Sequence, residues 1–422
     1  MPTSTLLQLI ARGRQDVYLT GTPQTTFFRQ VYRRYTPFAI ESIPIELDGT
    51  LQFGQRLSCL IPRKAELLSQ LFLEIDLPPI PAAGPEGPSY LWVNDIGHAL
   101  IRDVSIEIGE KEIDKQTGEW MKLWSELTTP TGIRDGFNEM VGHYDNYPAD
   151  AFTSSQTTTG LQLQIPLRFW FCNNIGLALP LIALQSHPVR LIMHLRPFTE
   201  LWWSEDGMPC TPPEPVQPTR IQLFGDYIFL DKPERQEFAS KEHEYLVEQI
   251  QVVPPQTVPA GVNSVNVPLM INHPCKEFIW VVQQTRAREV HEWFNYSDKI
   301  YTDASPPLPA ELLATALLRL DGYDRFYRRG ARYFRLTQAY QRHTNIPVGD
   351  GTYIYVYSTS LRPEAEQPSG SINASKIDDI TWNLTFNTAP RAIGYERLIS
   401  FFVPNYNVLR IVGGLGGLAF IS

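Results

Sequence analysis

Cysteine is scarce. The chain has four in 422 residues, Cys59, Cys172, Cys210 and Cys275, and none belongs to a CxxC pair. Zinc ribbons and thioredoxin-type sites therefore find no support, and free, mostly buried thiols in a reducing compartment are expected. Long apolar runs are missing as well. None approaches the roughly 18–20 residues of a membrane-spanning helix. The apolar part of Met1–Ile10 is too short for a secretory signal and has no small-residue cleavage site, so folding in the cytosol is expected. Charge is sparse at 19%, and 36 Lys and Arg against 45 Asp and Glu leave a net −9. Phosphate contact over a broad surface needs a basic excess, so no specific nucleic-acid partner is expected.

Signatures of catalysis are lacking too. His243-Glu244 and His291-Glu292 suggest a metalloprotease helix, but Val247 and Asn295 stand where the second histidine ligand must be. His243 is expected at a surface or interface. Gly413–Gly417 has neither a P-loop lysine nor a following helix, which points to close backbone packing. There is no GxSxG elbow. No catalytic residue, metal ligand or cofactor is assigned.

What is abundant is turn and strand chemistry: 27 glycines, 35 prolines and 12% aromatics. Apolar residues alternate over 38–47, 67–77, 104–108, 189–195, 221–230, 262–271, 278–282, 316–320, 353–357, 380–386 and 407–412, predicting short strands. Gly109-Glu110 after Val104–Ile108 predicts a hairpin. Helices are expected over 119–128, 234–240 and 328–336. Many short strands with Gly and Pro punctuation indicate an all-β sandwich or barrel. Pro209–Pro218 holds five prolines in ten residues near the midpoint of the chain, which suggests the approach to a domain boundary. The halves also echo each other. Ser105–Gly109 precedes a hairpin and an aromatic helix around Trp120 and Trp124, and Leu318–Gly322 precedes another around Tyr333 and Phe334. Leu179-Pro180 and Gln367-Pro368 each lead through a loop to a strand. Two tandem copies of one sandwich produce this order.

Arg325–Arg335 interleaves five arginines with four aromatics, as a nucleic-acid groove does, but the arginine spacing also fits one stripe of a helix, which the acidic whole favours. Exposed Trp202-Trp203 could stack on the sugar rings of a glycan, although packing between domains is preferred. A glycosidase built on a β-sandwich would need two carboxylates across a cleft, which a sequence cannot reveal. Sequons occur at Asn295, Asn373 and Asn383. The last sits in a strand, leaving Asn295 and Asn373 as possible glycosylation positions.

Blocks along the whole chain carry a resemblance: Gln15–Gly21 with Pro23, Thr26–Phe28, Val31–Arg34 and Phe38–Glu41, then Gly176–Gln185, Asp226–Asp231, His243–Gln249, Asn272–Pro274, Gln367–Gly370, Asn405–Ile411 and Gly416–Ala419. In this order they resemble the major capsid protein of nucleocytoplasmic large DNA viruses, particularly its algal-virus branch. The positions singled out are Asp16, Tyr18, Leu19, Gly21, Phe28, Tyr32, Arg33 and Arg34 near the start; Pro180; Asp226, Tyr227 and Asp231; His273 and Pro274; Pro368 and Gly370; and Tyr406, Asn407, Arg410, Gly416 and Gly417 in the tail.

The resemblance implies two tandem jelly-roll β-sandwich domains with a few short helices. Expected limits are an arm over 1–25 and domains over 26–219 and 220–422. It also implies a homotrimer forming a pseudo-hexagonal capsomer that tiles an icosahedral shell with neighbouring capsomers. The arm is expected near minor capsid proteins and the internal membrane, and the location is the virion, after synthesis in the host cytoplasm or viral factory. The family has no catalytic site or cofactor. Residues 282–309 and 390–402 are compact against relatives with large outer loops, leaving a minor capsid paralogue of the same fold as one alternative and, from a different class, a jelly-roll glycan-binding attachment protein as the other.

Overall fold

A computed structural model of the chain describes residues 3–82, 89–154, 158–204, 212–300, 310–349 and 351–420. It divides into a short unit, Met1–Pro37, and a main body, Phe38–Ser422. In the short unit, α1 (Thr3–Ile10) and α2 (Val17–Thr20) are the helices. The Asp16 carboxylate accepts the Gly13 N–H at 2.6 Å. Gly21 closes α2 where a Cβ would lie 2.4 Å from the Val17 carbonyl oxygen. Phe27, Phe28, Tyr18 and Leu19 are all exposed.

The main body opens with β1 (Phe38–Ile45), β2 (Arg56–Leu60), β3 (Leu67–Leu77), β4 (Ile101–Ile108), β5 (Lys111–Thr117), β6 (Leu161–Pro166), β7 (Val189–Leu195) and β8 (Arg220–Leu230). They form two antiparallel sheets in the orders β1-β8-β3-β6 and β2-β7-β4-β5. Next come β9 (His243–Val258), β10 (Ser264–Pro268), β11 (Glu277–Gln284), β12 (Leu313–Leu320), β13 (Tyr323–Asp324), β14 (Ile354–Ser358), β15 (Ile380–Phe386) and β16 (Arg397–Val412). Their sheets run β9-β16-β11-β14 and β10-β15-β12-β13, the same plan strand for strand. Minor pairings repeat as well: Leu179–Pro180 pairs with the start of β3, and Ile372–Asn373 with Pro274–Cys275 just before β11. These are two jelly rolls in tandem. A helix follows the fifth strand in each: α3 (Gly118–Thr128) in the first and residues 331–342 in the second.

Local chemistry sets these elements. Gly109 and Glu110 have φ of 58° and 66°, the double left-handed turn that matches strand twist in a two-residue hairpin. Along β3, Leu71, Leu73, Ile75 and Leu77 are buried and the residues between them are more open, so alternation chooses the inward face. The Thr117 hydroxyl caps α3 by accepting the Trp120 N–H at 3.2 Å.

Several expectations need correction. Strand β8 pairs with β1 and β3, so residues 220–230 lie in the first sandwich, not the second. The last strand of a jelly roll returns beside its first, and residues 212–218 of the proline-rich stretch are therefore a loop inside the first sandwich; residues 209–211 fall outside the described residues. Residues 26–37 group with the arm because their apolar side chains are exposed. In the arginine run, the helix starts only at residue 331, and Arg329–Gly330 pairs with β12. Arg325 and Arg328 therefore lie outside any helical stripe.

The second core centres on Trp280 and Trp382, both fully buried with ring centroids 4.5 Å apart, against Phe334 and Phe401. Trp382→Ala should destabilise the protein by about 3–5 kcal/mol, measured by urea unfolding.

Candidate functional site

The two sandwiches meet along a seam built by α3. One face of this helix, Trp120, Leu123, Trp124 and Leu127, packs on Ile279, Val281, Ile354, Val356 and Phe402 of the second sandwich. Trp120 stacks on Trp124 at 5.2 Å and on Phe402 at 6.2 Å. Hydrogen bonds also cross the seam. Ile250 N–H donates to Asp114 at 3.3 Å, Asn345 N–H donates to the Leu127 carbonyl at 2.9 Å, and Trp293 Nε1 donates to the Glu200 carbonyl at 2.9 Å. Burial pushes the Asp114 carboxyl up to about 7.

The opposite face of α3 carries buried charge. Lys122 Nζ lies 2.7 Å from Asp95 and 2.6 Å from Glu126. Arg134 pairs with Glu126, and His143 Nδ1 lies 2.8 Å from Asp95. Burial alone would raise the Asp95 carboxyl, but His143 and Lys122 outweigh it and hold it well below the ordinary range. Burial likewise opposes the Glu126 anion, and Lys122 and Arg134 overcome it. A cavity of about 400 Å³ opens beside this cluster, lined in part by Asp95, Lys122, His143 and Trp293. Both carboxyls stay ionised, so this pair lacks the raised-pKa acid that glycoside cleavage requires.

A second charged cluster lies beneath Trp124. Lys276 is fully buried, pairs with Glu248 and donates to the Pro363 carbonyl at 2.7 Å. His343 bridges Glu277 at 3.1 Å and Glu364 at 3.0 Å. Burial disfavours the His343 cation, but the two carboxylates raise its pKa to about 9. Sequence reasoning missed both clusters. Their partners are far apart along the chain, and charge pairs have no spacing signature unless they share a helix, as Lys122 and Glu126 do.

The tail is pinned to the first sandwich. Leu415–Leu418 turns back on β16 through Gly413 and Gly414, whose φ values are 60° and 84°. Ser186 N–H donates to the Gly414 carbonyl at 3.0 Å. A Cβ on Gly416 would lie 2.6 Å from Leu184.

The residues singled out in the sequence do not converge on one place. Asp231 caps α4 (Lys232–Ser240) by accepting the Glu234 N–H at 3.3 Å. Tyr227 is buried with its hydroxyl donating to the Pro62 carbonyl at 2.9 Å, while Asp226 faces the other way. Pro180 pairs with Leu67, and Pro274 with Asn373. His273 has φ of 65°, and Gly370 sits where a Cβ would lie 2.8 Å from the Thr359 carbonyl oxygen. Asn407 Nδ2 donates to Gln249 at 2.9 Å, and Arg410 pairs with Glu244 at 2.6 Å. Tyr32, Arg33 and Arg34 are exposed in the arm, while Tyr406 is buried in β16. Gly417 pairs with Arg410, and Pro368 lies in the loop before Ile372–Asn373. In the body these are positions of caps, turns and strand register.

Residues 26–231 match the family described as major capsid protein N-terminus, and residues 234–417 match large eukaryotic DNA virus major capsid protein. The chain belongs to the major capsid protein family of large eukaryotic DNA viruses. The major capsid protein of Pyramimonas orientalis virus is 36% identical over 436 residues, covering 98% of each chain. That of Phaeocystis pouchetii virus is 34% identical over 519 residues, covering 98% of this chain and 99% of the relative. The solved structure of PBCV-1 VP54 superposes with a TM-score of 0.79 at 30% identity, covering 94% of this chain and all of that one.

As a capsid protein the chain needs a rigid body more than a reactive centre, and other sequence candidates fit that picture. Trp202 and Trp203 are buried: the first packs edge-on to His291 across the seam, the second against Tyr147 and Phe152. Neither can stack on a sugar. His243 is half-buried between Phe238 and Tyr245. Asn295 is buried and its amide nitrogen donates to Glu292 at 2.6 Å and to the Lys299 carbonyl at 2.7 Å, so it cannot carry a glycan in the folded chain. Asn373 is exposed. Cys59, Cys172 and Cys275 are free thiols raised to about 12 by burial; Cys210 falls outside the described residues.

Two outcomes test the seam. Lys122→Met removes the buried cation that Asp95 and Glu126 share, leaving them to His143 and Arg134 alone, and should cost about 3 kcal/mol in denaturant unfolding. His343 has a folded-state pKa of about 9, above the ordinary 6.5, so its stabilisation is complete below pH 6.5 and is lost as pH rises to about 9. Urea midpoints should fall across that window, and His343→Gln should flatten the fall.

Proposed function

We propose that this capsid protein assembles as a homotrimer whose six jelly rolls form a pseudo-hexagonal capsomer, and that capsomers tile the icosahedral shell of a large double-stranded DNA virus. The observation that carries this is the duplicated sandwich held rigid by the seam. Two copies of one plan per chain turn three-fold symmetry into a six-sided outline, and flat facets follow from repeating it. The domain limits we propose are an arm to Pro37, a first sandwich through β8 and a second from β9.

The arm presents many exposed apolar and aromatic residues, Phe27 and Phe28 foremost. We assign it to contacts beneath the shell, with minor capsid proteins and the internal membrane. Synthesis belongs to the host cytoplasm or viral factory. A major rather than a minor shell position is favoured, because the Pyramimonas orientalis virus protein aligns over only 436 residues and is itself a major capsid protein.

Light scattering should give roughly three times the 48.1 kDa chain mass. A folded monomer at micromolar concentration would overturn the trimer. Removal of residues 1–37 should leave the trimer intact and impair shell assembly, seen as loss of sheets or shells by negative-stain microscopy.

A further inference from the structure

One arginine of the body lacks what comparable arginines have. Arg134, Arg196, Arg288 and Arg335 are half-buried, and each pairs with a carboxylate. Arg168, two residues after β6, is half-buried too, yet among the described residues no carboxylate and no hydrogen bond engages its guanidinium. The guanidinium lies 5.6 Å from the centroid of the Phe137 ring. The neighbouring Cys172 thiol supplies no counter-ion, because burial pushes it up to about 12 and keeps it neutral. Burial also works against the Arg168 charge itself. A charge drawn out of water is ordinarily paired or hydrogen-bonded, since its lost hydration must be offset.

Arg168 lines a cavity of about 250 Å³ in the seam. Trp124 of α3, Trp170 and Leu177 after β6, and Leu246 of β9 are among the other walls. The antiparallel order β1-β8-β3-β6 brings the end of β6 to the end of the sheet at which β1 begins. Three acids of the second sandwich, Glu248, Glu364 and Glu366, complete the lining. Lys276 already matches Glu248, His343 matches Glu364, and Glu366 is exposed to water. Among the described residues, the charge left without a partner in this cavity is the positive one, set beside two indoles and two leucines.

We propose that the cavity binds a single carboxylate on an apolar or aromatic stem, supplied by an acidic side chain next to a large apolar one in a protein partner, and that Arg168 is the group that holds it. A planar guanidinium can take both oxygens of one carboxylate at once. The indoles and leucines suit the stem, and Trp and Arg are the residues that dominate the energy of protein contacts. The volume lies below that of most small-molecule sites and suits a side chain. A phosphate would bring a second negative charge against the acids of the opposite wall. The site names a partner chemistry for the contacts we assign beneath the shell. Its test uses the isolated protein, so it can fail without touching the capsomer reading.

The probe is phenylpropionate, titrated into the full chain. Isothermal titration should show saturable binding with a dissociation constant on the order of 1 mM, the strength expected of so small a ligand. The uncharged amide of the same acid, and inorganic phosphate, should each bind more weakly by about tenfold or more. A diazirine-bearing form of the probe should label residues 168–177 or 246–248. Arg168→Met should weaken probe binding by about tenfold or more. Absence of saturable binding, an amide that binds as tightly as the acid, a preference for phosphate, labelling elsewhere, or undiminished binding to folded Arg168→Met each overturns the proposal. If that variant does not fold, the amide comparison and the labelling, both made on the unaltered chain, decide the matter.

Discussion

One helix bears the consequences of two faces. On one side α3 lays Trp120 and Trp124 across the second sandwich; on the other it buries Lys122 between Asp95 and Glu126. Apolar contact alone could slide along a flat sheet. The Lys122 cluster locks α3 to its own sandwich, because any shift of the helix leaves charge unpaired in a medium that screens it poorly, and the directional hydrogen bonds across the seam, Ile250 to Asp114, Asn345 to Leu127 and Trp293 to Glu200, hold the second sandwich against it. The angle between the sandwiches is thereby set, and every larger outline that uses the chain inherits it.

Much of the architecture was legible in the sequence because jelly-roll strands alternate strictly where one face is buried. β3 and β15 show it clearly, and the Gly109 and Gly413 turns were readable because left-handed backbone favours glycine. β9 was not legible: its burial pattern is mostly intermediate, it holds Pro254-Pro255, and its register shifts near them. β2 and β6 were missed because each is short and mixes Ser, Arg or Gln with its leucines. The misplaced limit at residue 219 had a topological cause. Proline density marks a loop, but only pairing shows which sandwich owns the strand that follows it.

The seam was half legible. Aromatics around Trp120 and Trp124 stood out, as did the parallel set around Tyr333, yet their partners on β11, β14 and β16 lie more than 150 residues away in the chain. The charged clusters were invisible for the same reason. Family blocks found in the sequence proved to be backbone fixtures in the body, such as the Asp231 cap and the Gly370 approach, scattered as expected for a protein whose product is shape.

The Gly413-Gly414 turn ties the final hairpin to the loop at Leu184 and Ser186, residues made some 230 positions earlier. Synthesis runs from the N-terminus, so this loop leaves the ribosome well before the hairpin that covers it. The loop of the first sandwich is thus completed only by residues of the second, so the two halves share one closing contact across the longest separation in the chain described above.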